Sequence, residues 1–277
     1  MTFDLDRTKP SLVARTVWRI EARLADPSSL AELAAMEGVS PFHLTRAFTL
    51  VTGRSLMAYV RARRLSEAAR QLHNTEESVL NIALDAGYQS HEGFARAFRD
   101  MFGASPTAAR AALPPDLQEC FKMTSDATAM PDARIVEYPG LRIVGRARRF
   151  SLDERPRIPA FWEEVIEEIG QYMWGNDTFG VSFDFEDDEA MTYMVAFADD
   201  GRCDSSQLDH LELVPGRYAV FDHAGHISTI AQTWAGIFDG GLARAGTEPR
   251  GGPEFETYTK DFRPEASGGV SIWIPVK

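Results

Sequence analysis

Ser40-Pro41-Phe42-His43-Leu44-Thr45-Arg46-Ala47-Phe48 is answered fifty positions later by Ser90-His91-Glu92-Gly93-Phe94-Ala95-Arg96-Ala97-Phe98. The likeness runs outward: Gly53 answers Gly103, Ser55 answers Ser105, and Leu30 and Leu80 open the two copies. A repeat of this length, with caps and breaks at matching places, is one small helical unit used twice. In the first copy Ser29 caps a helix from Leu30 to Glu37, Gly38 ends it, and Ser40 with Pro41 take the N-cap and N1 places of the next. Leu44, Ala47, Phe48 and Val51 fall at i, i+3, i+4 and i+7, so they are expected to pack inward. Phe42, Thr45, Arg46 and Thr49 are left on the outer side. In the second copy Phe94, Ala97, Phe98 and Met101 repeat the inner stripe, while Glu92, Ala95, Arg96 and Arg99 take the outer one.

A helix fixed by one face and presenting hydrogen-bonding groups on the other is what a helix-turn-helix reader of the DNA major groove requires. Arginine at the same outer position in both copies suits guanine O6 and N7, or phosphate. An ordinary helical bundle with a solvated surface would explain one such unit equally well. A tandem pair joined by an arginine-rich helix favours DNA. The joining segment, Leu56 to Leu72, holds Arg61, Arg63, Arg64 and Arg70 and has neither Gly nor Pro. It is expected to be one continuous helix that sets two readers in successive grooves about 34 Å apart.

Over roughly residues 10–112 the chain resembles the AraC/XylS family of transcription regulators. The residues that carry this are Ser40-Pro41-Phe42-His43-Leu44, Ile82-Ala83 with Gly87-Tyr88, and Phe102-Gly103-Ala104-Ser105-Pro106. The resemblance implies that Phe42, Thr45 and Arg46, then His91, Glu92 and Arg96, touch bases and phosphates. Thr49 and Arg99, on the same outer faces, complete the expected DNA-binding set. Glu92 and Gly93 depart from a simple basic surface: the carboxylate suits cytosine and repels phosphate, and glycine offers no side chain. Because the two outer faces differ, the operator is expected to be two unlike half-sites about one helical turn apart.

The chain is acidic, with a formal net charge of −12, which by itself argues against nucleic acid. The charge is divided, however: residues 1–112 sum to +2 and the remainder to −14. With few arginines available, nonspecific DNA affinity is expected to be modest and salt-sensitive. The expected layout is multidomain. An all-α tandem helix-turn-helix domain spans 1–112, and a linker, 113–132, includes a short helical turn around Leu117 to Met123. An α+β domain at 133–277 follows. No apolar stretch is long enough to cross a membrane, no signal peptide is read at Met1-Thr2-Phe3, and Cys120 and Cys203 sit in no redox or metal spacing. A cytoplasmic protein is expected, as a monomer or homodimer, with no cofactor and no metal.

The second domain is duplicated more faintly. Glu137-Tyr138-Pro139-Gly140-Leu141 has a counterpart in Leu213-Val214-Pro215-Gly216-Arg217, and Pro-Gly between β-prone runs predicts a turn within a hairpin. Helical runs follow each, Phe161 to Tyr172 and Ile230 to Phe238. Strands come next, at 179–185 and 192–198, then at 254–258 and 270–276. Two strand-helix-strand-strand repeats predict an antiparallel sheet with a cleft at the pseudo-twofold. Trp162, Trp174, Trp234 and Trp273 lie here with many other rings, and most read as core. Strand alternation nevertheless sets Glu256 and Tyr258 on one face, apart from Phe255 and Thr257. A carboxylate among rings suits an organic cation, and a solvated Glu on an edge strand is the ordinary alternative.

From about residue 133 to the end the chain also resembles the gyrase-inhibitor-like (GyrI-like) small-molecule-binding family. Pro215-Gly216-Arg217-Tyr218, Gln232-Thr233-Trp234, Phe255-Glu256-Thr257-Tyr258 and Ile272-Trp273-Ile274-Pro275-Val276 carry the likeness. It implies that Glu256 lies in a ligand cleft, with Tyr258, Trp162, Phe183, Tyr218 and Trp273 as further ligand-binding candidates. The expected partners are double-stranded operator DNA, a small effector that is hydrophobic and can be cationic, and RNA polymerase, with no membrane. His223-Ala224-Gly225-His226 lacks a third ligand for a metal. An enzyme is not expected, although Glu256 with Tyr258 would be the pair for hydrolysis of an electrophilic ring. A protein-interaction module is the remaining alternative.

Overall fold

The computed structural model describes residues 11–24, 28–117, 132–186, 190–201 and 203–277. Met1–Thr2–Phe3, Cys120 and all of the expected linker turn except Leu117 lie outside the described residues. The helices of the first part are α1 (Leu12–Ala22), α2 (Leu30–Glu37), α3 (Pro41–Thr52), α4 (Leu56–Asn74), α5 (Val79–Asp85), α6 (His91–Phe102) and α7 (Pro106–Ala111). By contacts the chain divides into two compact units. One comprises Met1–Pro41 with Arg54–Ser125; the other comprises Phe42–Gly53, which is most of α3, with Asp126–Lys277.

In the helical unit local chemistry sets the boundaries. The Ser29 hydroxyl accepts from the Glu32 amide at 3.2 Å, and the Glu32 carboxylate accepts from the Ser29 amide at 2.8 Å. This reciprocal box satisfies orphan donors at the start of α2. The Ser55, Ser78, Ser90 and Ser105 hydroxyls cap α4, α5, α6 and α7 by accepting from the Ala58, Asn81, Gly93 and Ala108 amides, without the reciprocal carboxylate bond. Gly38 and Gly103 end α2 and α6 in the left-handed region, which costs a glycine nothing. Leu65, Ala69 and Leu72 of α4 meet Ile82, Ala83, Phe94, Phe98 and Ala109 in one cluster.

The arginines of α4 are partly structural. Arg63 donates to both Glu21 oxygens at 2.8 and 2.7 Å, and Arg64 donates to the Leu24 carbonyl at 2.9 Å. Arg61 is exposed. The arginine content that made this helix suggestive of DNA is thus partly spent on fixing α4 to α1 and the residues after it.

The second unit contains one antiparallel sheet of eight strands: β1 (Arg134–Tyr138), β2 (Leu141–Ser151), β3 (Thr178–Glu186), β4 (Ala190–Ala198), β5 (Asp209–Leu213), β6 (Gly216–His223), β7 (Glu254–Tyr258) and β8 (Val270–Pro275). Their order is β1-β6-β8-β7-β3-β4-β2-β5. Helix α8 (Ile158–Met173) follows β2; α9 (Ile230–Gly236), a π-helical turn at Ile237–Gly241 and α10 (Leu242–Arg244) follow β6. The two repeats are thus β2-α8-β3-β4 and β6-α9-β7-β8, and their central strands β3 and β7 pair at the pseudo-twofold.

The Pro-Gly turns do not close hairpins. β1 pairs with β6 and β5 with β2, so the strand before each turn joins the other repeat. A tight chain reversal is compatible with a hairpin, but the partner is selected by which strand edge is free. The expected hairpins are corrected accordingly.

Register assigns the faces. Phe255, Val181, Met194, Trp273, Val220 and Tyr218 share one face, where Tyr138 of β1 and Leu213 of β5 also pack. Strands at opposite edges meet in that cluster, so the sheet curls over it. The other face carries Glu254, Glu256 and Tyr258, and there Tyr193, Val195 and Phe197 pack under α8.

Candidate functional site

Glu256 stands on β7 opposite Gly180 of β3, at the centre of the sheet and not at an edge. It is buried, and both of its oxygens are engaged. Trp234 Nε1 of α9 donates to Oε1 at 2.7 Å; Tyr258 Oη and Tyr193 Oη donate to Oε2 at 2.7 and 3.1 Å. Trp162 Nε1 of α8 in turn donates to Tyr193 Oη at 3.0 Å, and the Trp162 and Tyr258 rings meet edge to face at 4.9 Å. Two helices and three strands therefore converge on one carboxylate. Gly180 makes the convergence possible: a Cβ there would overlap the Tyr193 hydroxyl and press on Glu256 Oε2.

Burial pushes the Glu256 carboxyl above its ordinary range, and the bonds from Tyr258, Trp234 and Tyr193 pull the other way. Burial and then the neighbouring Glu256 charge hold the Tyr193 and Tyr258 phenols well above theirs, so both remain donors. All donors to this carboxylate are neutral. Among the described residues its negative charge has rings and dipoles around it and no cation paired to it, only a weaker favourable influence from His223, which is the electrostatic setting for a positively charged guest.

Of the ligand-binding residues expected from sequence, the structure brings together Glu256, Tyr258 and Trp162. It does not bring Phe183, Tyr218 or Trp273 to them, because those three side chains lie on the opposite face of the sheet. Trp273 stacks on Phe255 at 5.5 Å and donates to Thr257 Oγ1. Tyr218 donates to the Val214 carbonyl. These rings are core, as β-strand parity requires. Trp234 and Tyr193, which were not among the expected ligand-binding residues, join Glu256 here; only the cross-strand register and the placement of α9 reveal them.

The two helices expected to read DNA, α3 and α6, differ sharply. On α6, His91, Glu92, Arg96 and Arg99 are exposed while Phe94 and Phe98 are fully buried, which matches the expected division of faces. On α3, Leu44, Ala47 and Phe48 are buried as expected, but Arg46 and Thr49 are buried too, at 2% and 1% exposure. Phe42 and Thr45 are half-buried. The outer face of α3 is thus not open in this structure. Within its own unit, Arg46 Nη2 donates to Glu254 Oε2 at 2.6 Å, and Phe42 meets the Phe185 ring at 5.9 Å. Among the described residues no His, Cys, Asp and Glu cluster could hold a metal, and no helix is long and apolar enough to cross a membrane.

Residues 131–277 match the GyrI-like small molecule binding domain, and residues 33–112 match a helix-turn-helix domain of the AraC type. The chain belongs to the GyrI-like small-molecule-binding family. Its closed carboxylate therefore lies in a GyrI-like domain, and α3 and α6 lie in the AraC-type part. Right origin-binding protein of Escherichia coli (strain K12) is 27% identical over 260 residues, 87% of this chain and 88% of that protein. Transcriptional regulator Rob of Salmonella typhimurium is 43% identical over 94 residues, 34% of this chain and 32% of that protein. Regulatory protein SoxS of Escherichia coli (strain K12) is 38% identical over 88 residues, 32% of this chain and 82% of that protein. Among solved structures, SAV2435 bound to tetraphenylphosphonium is similar at a TM-score of 0.46 and 21% identity, covering 53% of this chain and 94% of that one. With these two domains the chain is an AraC-type DNA-binding regulator carrying a GyrI-like domain.

Proposed function

We propose that the protein is a one-component transcription regulator whose DNA occupancy responds to a small, apolar organic cation bound at Glu256. The observation that carries this reading is the buried Glu256 carboxylate on the central strand, held by the neutral donors Trp234, Tyr258 and Tyr193. A monovalent cation with aromatic or alkyl substituents would exchange those donors for direct charge neutralisation, with the ring faces as its walls. The functional division follows residues 1–112 for DNA and 133–277 for the effector, and His91, Arg96 and Arg99 on α6 supply an exposed DNA-facing set.

A hydrolytic role fits less well. Glu256 has the raised proton affinity of a general base, yet three donors occupy its oxygens, and Tyr258 is held as a phenol. The experiment is titration of intrinsic Trp fluorescence with benzyltriethylammonium and related aryl ammonium ions. Saturable quenching that weakens by about tenfold or more in Glu256→Gln supports the reading. Equal response in wild type and Glu256→Gln would remove Glu256 from the site. Selection of genomic fragments by the full-length protein, with and without the same compounds, then supplies the operator and the sign of regulation.

A further inference from the structure

Period-two alternation places a second carboxylate on the same face of β7. Glu254 is buried at 1% exposure, more deeply than Glu256 at 7%, and its surroundings are different. Among the described residues no neutral donor reaches it, and after Arg46 the Arg155 guanidinium also favours its charge. Its Oε2 pairs with Arg46 Nη2 at 2.6 Å, both side chains being almost wholly excluded from water. The Arg46 guanidinium lies 4.6 Å from the Phe185 ring centre and 5.3 Å from that of Phe238. A carboxylate flanked by two aromatic faces is a receptor for a guanidinium group.

Two local irregularities build it. Asp184 is the one non-glycine among the described residues with positive φ, at 52°, and the β3–β4 register breaks between Phe183 and Glu186. The bulge turns Phe185 to the face of Trp162, away from the Phe183 side, and Arg149 fixes it by donating to the Asp184 carbonyl and carboxylate at 2.8 and 3.0 Å. Phe238 sits in the π-helical turn, where its carbonyl lies 2.8 Å from His43 Nε2 of α3. Bulges and π turns of this kind re-aim side chains and are common at functional sites.

The pair is poor as a stabilising device. Arg46 Nε and Nη1 and Glu254 Oε1 are buried without hydrogen-bond partners. Desolvation of such a pair is not recovered by a single bond, and an apolar pair of the same volume would serve the fold better. Release would let Arg46 Nε and Nη1 find water or phosphate, and Glu254 Oε1 find water. Arg46 is also the counterpart of Arg96, which is exposed on α6. Equivalent arginines of one repeat are thus in opposite states.

We propose that Glu254, Phe185 and Phe238 form an internal guanidinium receptor that withholds Arg46, and with it the reading face of α3, from DNA. The link to the effector is the Trp234 ring, which donates to Glu256 and stacks on Phe238 at 6.4 Å and 15°. A guest that displaces Trp234 from Glu256 shifts a wall of the receptor and frees Arg46. This rests on the DNA-reading role proposed for α3.

The test uses the full chain and an operator fragment recovered by selection on genomic DNA. Glu254→Gln is expected to raise affinity for the fragment by about 5- to 150-fold, the range of an ordinary coupling between sites. Arg46→Ala is expected to weaken binding, and the double variant to bind like Arg46→Ala alone. Phe185→Leu, which keeps the ion pair but removes one ring, is expected to shift affinity in the same direction as Glu254→Gln and serves if that variant does not fold. Unchanged affinity in both Glu254→Gln and Phe185→Leu, in a protein weakened by Arg46→Ala, overturns the receptor. If Arg46→Ala leaves binding unchanged, the DNA-reading role of α3 fails instead. The receptor is then judged by thermal unfolding of Arg46→Met, Glu254→Gln and their combination: non-additive changes support it and additive changes overturn it.

Discussion

Burial and hydrogen bonding oppose one another at Glu256, and burial prevails. A carboxyl whose folded-state pKa is raised contributes stability that is complete below its ordinary value of 4.5. That stability is lost as pH rises through the higher folded value. The wild-type minus Glu256→Gln difference in unfolding temperature is therefore expected to fall as pH rises above 4.5, and a flat difference would show that Glu256 is solvated. A cation bound beside the ionised form lowers the same pKa, so binding in this window releases protons. Calorimetric titration in buffers of different ionisation enthalpy measures that release. Gly180→Ala is expected to cost about 1 to 3 kcal/mol, since the Tyr193 hydroxyl fills the space a methyl would take; urea unfolding gives the value. Glu256 and Tyr258 were legible from strand parity alone. Trp234 and Tyr193 were not, because each reaches the carboxylate from another element.

Helices and strands were easier to read than their surroundings. Caps and breaks are local chemistry, so α2 was placed at Leu30–Glu37 and β7 at Glu254–Tyr258, where the structure has them. The fate of a helix face is not local: the same spacing of Arg, Ala and Phe gives an exposed arginine on α6 and a buried one on α3. What differs is the presence of Glu254 and two rings within reach, which no pattern inside the repeat encodes. The α6 element makes its own predictions. Ser90 Oγ accepts from the Gly93 amide at 3.1 Å, so Ser90→Ala is expected to lose about 1 kcal/mol of stability. Arg96→Ala is expected to weaken operator binding by about 1 to 3 kcal/mol, measured by fluorescence anisotropy, with no change in unfolding temperature.

At the scale of the whole molecule the charge division governs DNA affinity. An acidic remainder of −14 beside a helical part of only +2 leaves few phosphates to be neutralised. The slope of log affinity against log salt is expected to be shallow, and Arg96→Ala to reduce it by about 1; a steep slope that is unaffected by Arg96→Ala would point to a basic surface elsewhere. The crossing of β1 and β5 between repeats has a further consequence, for folding kinetics. β1 at Arg134–Tyr138 must wait for β6 at Gly216–His223 before its amides find partners, and β2 must wait for β5. Each repeat can pair its own three strands, β3-β4-β2 and β6-β8-β7, but β1 finds its partner only some eighty residues further on, so the full sheet is expected to close late. A backbone nick at the exposed Ser206 and Gln207, between β4 and β5, should then leave two fragments held together in the native state, each with one strand, β1 or β5, left without its partner once denaturant separates them.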